Sequence, residues 1–419
     1  MQRYSAFSLA RRALGGHRGW EPAWRKATLR GAYDVVVIGG GGHGLATAYY
    51  LMANHGVARV AVIEKGWIGG GNVGRNTTVF RSNYLLEDNI RFYEHALKLW
   101  EGLTEELDFN LMVSQRGCLM LATSLGEMNA LRRRGNMMRL AGTDAEYLSG
   151  DEVRREVPNV VGEDDGLWPI YGGLMQRRAG TIRHDAVAWG LARGASARGA
   201  DIVENCEALD FLWTGGRISG VRTTLGDVTC DKVVLATAGS ASLLAAKAGL
   251  RLPIESHLLQ AFVTEGLKPL VDTVIVWGGP GHFYISQSDK GGLVFGGDLD
   301  GYNSYAQRGN LPLVEDVISA GIGLMPNISR LRLLRHWGGI MDMTMDGSPI
   351  IGPAPVDGLI LDVGWCYGGF KAIPAGGWLA AHAAATGSPH ELAPPFALDR
   401  FARGRLLDET GNGPVPNRQ

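Results

Sequence analysis

The most constraining feature of the sequence is a short unit near its start. Tyr33-Asp34-Val35-Val36-Val37-Ile38 is a β-branched run suited to a strand buried on both faces. Gly39, Gly41 and Gly44 follow in G-x-G-x-x-G spacing, with Gly42 and His43 inside the turn, and Leu45–Asn54 reads as a helix. Arg59–Ile63 is the next strand, and Glu64 ends it twenty residues past Gly44. The glycines suit a tight strand-to-helix turn, close approach of a pyrophosphate and close helix–sheet packing, and the helix dipole favours phosphate. The Glu64 carboxylate is placed to accept two ribose hydroxyls, which disfavours a 2′-phosphate. A bare glycine pattern is weak. Set between strand, helix, strand and acid, it specifies a parallel βαβ dinucleotide unit.

This unit alone does not separate FAD from NAD. A second glycine-rich stretch, Gly69–Thr78, directly follows the ribose-binding acid and suits an extended FAD whose flavin end runs along the backbone toward a second domain. The chain holds 61 glycines in 419 residues, about twice the usual share, without a collagen period. Basic and acidic residues balance at 41 and 42, which argues against nucleic acid. Cys118, Cys206, Cys230 and Cys366 are scattered, so neither a disulfide framework nor a metal site is expected. Residues 1–30 are arginine-rich but lack a secretory apolar core, and no apolar run is long enough to span a membrane. A soluble, cytoplasmic protein is the expectation. Trp20 and Trp24 suit docking of this leader on the chain itself or on a partner, and a partly ordered leader is the other reading left open.

Further along, helices are expected at Ile90–Leu107, His184–Arg198, Ser240–Ala248, near Leu313–Leu324 and at Pro374–Ala385. Ala208–Trp213, Arg217–Thr224 and Asp227–Cys230 read as a meander with a hairpin turn at Gly215-Gly216, followed by a separate buried strand at Asp231–Ala236. Phe262–Glu265, Thr273–Trp277, His282–Ser286 and Gly292–Phe295 suggest an antiparallel region, and Leu359–Val363 a last strand before a glycine loop. The alternation of α/β and antiparallel parts predicts two interleaved domains.

Gly39–Gly44, Glu64, the Gly69–Thr78 stretch and Gly364-Trp365-Cys366-Tyr367-Gly368-Gly369-Phe370-Lys371 together resemble the D-amino-acid-oxidase-like flavoproteins, and within them the β subunits of heterotetrameric sarcosine oxidase. The resemblance spans nearly the whole chain, including Met1–Ser5 and His17–Trp20. It implies an α/β fold in which a Rossmann-like FAD-binding domain of glutathione-reductase type (31–115, 181–256, 340–419) is interleaved with an antiparallel-sheet substrate domain (116–180, 257–339), after an extension at 1–30. It also implies oxidative demethylation of sarcosine (N-methylglycine) at a non-covalent FAD. Electrons then pass to a covalent FMN and to O2, giving glycine, hydrogen peroxide and formaldehyde or methylenetetrahydrofolate. The implied partners are α, γ and δ subunits, with tetrahydrofolate bound by α.

Residue roles follow from the same resemblance. His184, in Thr181-Ile182-Arg183-His184-Asp185, matches the FMN-linked histidine. Lys371 is expected in the loop against the flavin, anchoring a substrate carboxylate, and Arg81 resembles the arginine that pairs with that carboxylate in monomeric relatives. Asn72, Thr77, Ala208, Cys366 and Gly369 are implied FAD contacts, as is Lys371, and His43 is either a cofactor contact or a packing detail. Monomeric relatives attach FAD to a cysteine shortly before the late loop; none occurs here between Cys230 and Cys366, so FAD is expected unattached. His257 and Tyr284 are pocket candidates without a role, no base is assigned, and Asp346 reads as a turn former. Two alternatives stay open: a subunit of another N-methyl amino-acid dehydrogenase, such as N-methylglutamate dehydrogenase, and a non-catalytic flavoprotein assembly partner.

Overall fold

The computed structural model describes residues 5–18, 22–160, 167–279 and 282–409; Trp20 lies outside them. The chain runs α1 (Ala6–Leu14), β1 (Ala32–Ile38), α2 (Gly42–His55), β2 (Val60–Ile63), the two-residue β3 (Val79–Phe80) and α3 (Glu87–Glu106). It crosses to a second layer with β4 (Cys118–Ala122), α4 (Leu125–Leu140), β5 (Glu146–Ser149), α5 (Gly150–Glu156) and β6 (Gly172–Gln176), and β7 (Gly180–Thr181) pairs back to β3. The first layer resumes with α6 (His184–Ala197), β8 (Asp201–Val203), β9 (Ala208–Thr214), β10 (Arg217–Thr223), β11 (Gly226–Leu235) and α7 (Ala241–Lys247). The second returns with β12 (Ile254–Gly266), β13 (Val274–Trp277), β14 (Phe283–Gln287), β15 (Gly292–Asn303), α8 (Leu311–Leu324) and β16 (Leu333–Thr344). Finally β17 (Ile350–Pro353), β18 (Leu359–Val363) and α9 (Gly369–Thr386) rejoin the first layer.

The first sheet has the order β17-β18-β11-β1-β2-β8, with β10 and β9 continuing the far end of β11 as a meander. Neighbours from β18 to β8 are parallel. Strand alternation decides which side chain goes where. Val35, Val37, Val60 and Val62 point into a core shared with α2, α3, α6 and α9, while Val36, Ile38, Ala61 and Ile63 pack on the opposite face against the meander and α7. Both hairpin glycines, Gly215 (φ 59°) and Gly216 (φ 83°), adopt the left-handed geometry a tight two-residue turn requires.

The second sheet has the order β16-β12-β15-β14-β13-β4-β6-β5 and is antiparallel except at β13–β4. Its core, built on Phe262, Trp277, Phe283 and Phe295, is covered by α8. Of the strands expected here, those at 262–265 and 292–295 extend to the long β12 and β15, while β13 and β14 fall within a residue of their expected bounds. The two strands expected at 227–230 and 231–236 are one, β11, because its second half pairs with β1 while its first half carries β10.

After α9 the chain returns as a strap. Arg400 makes a bidentate pair with Asp346 (2.7 and 2.9 Å), both buried, and Glu409 accepts the N–H groups of Leu85 and Leu86 at the start of α3. Asp346 is thus more than the turn former expected, although its Oδ1 also accepts from Ser348 N (3.2 Å). Replacing Arg400 by Met leaves a buried carboxylate unpaired and is expected to cost roughly 3–5 kcal/mol in urea unfolding. An unchanged midpoint would show that the strap is dispensable.

Candidate functional site

β11, β1 and β2 end in register, with Ile38 beside Leu235 and Ile63, so the residues that follow these strands open on one edge. Here a cavity of about 630 Å³ runs between the two sheets. Gly39, Gly41, Gly42, His43, Glu64, Asn72, Thr77, Arg81, Ala208, Cys366, Gly369 and Lys371 line it. Gly44 does not: a Cβ there would come within 2.0 Å of the Gly39 carbonyl, which makes it the glycine of close packing. At Gly41 a Cβ would meet nothing within 4 Å, so the backbone leaves space at the start of α2, where helical N–H groups lack helical acceptors. Thr237 adds a buried hydroxyl on the same wall with no partner among the described residues. An open glycine cradle, an acid at the tip of β2 and an orphaned hydroxyl fit a dinucleotide. Gly41→Val should fill the cradle and lower the FAD content of the purified chain at least about tenfold with the fold retained by circular dichroism; full FAD content would contradict the fit.

The Glu64 carboxylate is held by Gly40 N (2.8 Å) and Gly66 N (2.9 Å), a fixed geometry for an acceptor. His43 is on the cavity wall and packed at the same time. It stacks on Trp365 (4.0 Å between centroids) and bonds through Nε2 to the Gly369 carbonyl (2.8 Å). The turn after β1 is thereby tied to the start of α9. Asn72 is engaged with the Ile340 carbonyl (2.5 Å), joining the Gly69–Gly74 stretch to β16.

Lys371 does not lie in a loop. After a 3-10 turn at Cys366–Gly368, α9 begins at Gly369, and Pro374, expected at the helix start, lies inside it. Packing overrides the glycines: Phe370 and Ile373 are buried in the core with α2 and α3, and Trp100 Nε1 donates to the Lys371 carbonyl (2.9 Å). The Lys371 ammonium is buried and donates to the Tyr367 carbonyl (2.7 Å). Burial, and then the neighbouring charge of Arg81, push its pKa well below the ordinary lysine value. Arg81 is itself steadied by Asn83 and by the Tyr84 ring, 5.3 Å away.

The thiol of Cys366 faces Thr344 N and Oγ1 (both 3.3 Å), and burial pushes it up to about 12, so it is protonated and unreactive at neutral pH. Tyr284 lines the cavity with a hydroxyl that burial raises to about 12, offset by its bond to Thr77. His257 is absent from the wall; it is buried in β12, with Nδ1 at 3.0 Å from the Asp300 carbonyl.

His184 is also off this cavity. It is the first residue of α6, which packs against the Gly69 turn, and its Nδ1 is buried without a hydrogen-bond partner among the described residues. Burial depresses its pKa, with Asp185 opposing, so the imidazole is neutral near pH 7. Sequence reasoning missed Asp342, a buried wall residue that accepts Gly364 N (2.6 Å) and whose carboxyl burial raises to about 6. The available signal was one acid inside the apolar run Trp337–Met343.

Residues 34–383 match the family model described as FAD dependent oxidoreductase. The chain is 59% identical to "Sarcosine oxidase subunit beta" of Rhizobium meliloti (strain 1021), over 99% of both chains. It is 47% identical to the protein of the same name from an Arthrobacter species, over 94% of this chain and 96% of that one. Among solved structures, L-proline dehydrogenase from P. horikoshii superposes with a TM-score of 0.84 at 28% identity, covering 90% of this chain and 100% of that one. Glycine oxidase from Geobacillus kaustophilus gives 0.80 at 24% identity, covering 88% and 99%. The chain belongs to the FAD dependent oxidoreductase family and, within it, to the sarcosine oxidase β subunits.

Proposed function

We propose that this chain is the FAD-carrying β subunit of a sarcosine oxidase and oxidises the N-methyl group of a small amino acid. The observation that carries this reading is the pair of basic side chains, Lys371 and Arg81, on the wall of a cavity that otherwise fits a dinucleotide. Bound FAD would supply the two-electron acceptor. The chain's residues hold the substrate: Arg81 and Lys371 take its carboxylate, which fixes the amine and N-methyl group relative to the wall. Two cations also disfavour a third, so the bound amine is kept neutral with its lone pair available. Tyr284 stays protonated and Cys366 stays a thiol, so neither adds negative charge that would protonate the amine.

In this reading His184 carries a covalent FMN. A neutral imidazole with a free Nδ1 has the lone pair such an attachment needs, and its place outside the FAD cavity suits a second flavin. FAD itself stays unattached, since burial raises both wall thiols, Cys206 and Cys366, and Cys366 is also bonded to Thr344. Residues 31–115, 181–256 and 340–419 then form the FAD-binding domain, which also carries Arg81 and Lys371, 116–180 and 257–339 form the substrate- and partner-facing domain, and α, γ and δ subunits complete the enzyme, with tetrahydrofolate on α. Among the described residues no helix is long and apolar enough to cross a membrane; a cytoplasmic enzyme belongs to this same reading.

Steady-state rates of the assembled complex on sarcosine, N-methylglutamate and dimethylglycine test the proposal. Sarcosine should lead in kcat/KM by about tenfold or more, the discrimination a few misfitting methylenes allow. A faster rate on N-methylglutamate would replace the assignment with the longer-substrate dehydrogenase.

A further inference from the structure

The leader helix α1 is turned the wrong way for a lone protein. On its helical wheel Ala6, Phe7, Ala10, Ala13 and Leu14 share one face, and Ser8 and Arg12 lie opposite. An isolated chain would bury the first set. Here Phe7 is 89% and Leu14 91% exposed, all three alanines are exposed, and the less exposed positions are Ser8 and Arg12. None of its residues is buried, and nine residues are too few to hold a helix well in water.

Further along, the leader is fastened to the first layer. Arg25 and Arg30 both pair with buried Asp201, and Trp24 packs on the main core, so α1 is carried at a fixed root. Residues 1–30 hold seven Lys and Arg against one acid, in a chain whose totals are 41 and 42, so the body below it is net acidic. The family model begins at residue 34 and leaves α1 out, whereas the match to the Rhizobium protein, named as a subunit, covers 99% of this chain and takes it in. The helix is thus shared with a chain named as a subunit and lies outside the matched oxidoreductase module.

We propose that α1 docks by its outward apolar face into an apolar groove rimmed by carboxylates on another subunit of the same oxidase, a proposal that rests on the multisubunit reading above. Phe7 and Leu14 are the anchors, two turns apart, and Arg11 on the flank meets the acidic rim.

The test compares the wild-type chain with the double variant Phe7→Glu, Leu14→Glu, each co-expressed with the remaining oxidase subunits. The variant should raise the dissociation constant of the complex at least about tenfold, because two carboxylates would enter an apolar contact. Its FAD content and melting temperature should equal wild type. Arg11→Glu should weaken assembly in low salt and much less in high salt. Equal assembly of the double variant would overturn the proposal. So would flotation of the wild-type chain, but not the variant, with phosphatidylserine vesicles, since the helix would then serve a lipid surface. If the wild-type chain itself forms no complex, the multisubunit reading falls and this proposal with it.

Discussion

Lys371→Met is expected to lower kcat/KM for sarcosine by two to four orders of magnitude while FAD content stays at wild type. The magnitude follows from removing one partner of a buried charge pair, worth roughly 3–5 kcal/mol when the other partner stays. Methionine keeps the apolar stem but leaves the substrate carboxylate with Arg81 alone. Both KM and kcat should suffer, since the carboxylate also orients the N-methyl group. A variant with normal kcat/KM would remove Lys371 from the substrate site. The ammonium also predicts a pH dependence. Burial and Arg81 hold Lys371 toward its neutral form, and an incoming carboxylate favours the charged form, so binding takes up a proton. Affinity for a carboxylate inhibitor should therefore weaken as pH rises through the free-site pKa, and Lys371→Met should flatten that profile.

His184→Ala is expected to abolish covalently held flavin altogether. Wild-type protein matured with its partner subunits and precipitated with acid should give a yellow pellet and release FAD to the supernatant. The alanine variant should give a colourless pellet and the same supernatant, because His184 lies outside the FAD cavity. A yellow pellet from the variant would move the attachment elsewhere, and a colourless one from wild type would remove covalent FMN from the proposal.

The parts of the fold legible in the sequence are those whose signals are local. The strand-glycine-helix-strand-acid unit needs only neighbouring residues, and so does the Gly215-Gly216 hairpin. The second sheet was read only in fragments. β4 and β6 are buried strands with little alternation, and β6 opens on two glycines. β16 begins with an exposed basic and leucine-rich half and passes through Gly338 and Gly339, so it carries no strand period. Its pairing with β12 holds it extended. Lys371 was legible as a residue and misplaced as a loop, because glycine and proline propensities lost to the burial of Phe370 and Ile373. Asp342 was missed for a related reason: its partner, Gly364 N, is distant in sequence and anonymous there.

The dinucleotide edge also dictates an order of events during synthesis. β1 lies between β2, made at once, and β11, made some 200 residues later, while α2 packs on α9, whose residues come after 368. A nascent chain displaying the glycine turn has no walls around it, and the strap that pins Asp346 and α3 emerges later still, after α9. Flavin capture is thus a task for the finished polypeptide, and a ribosome-stalled or C-terminally clipped product should be found empty and open to proteases.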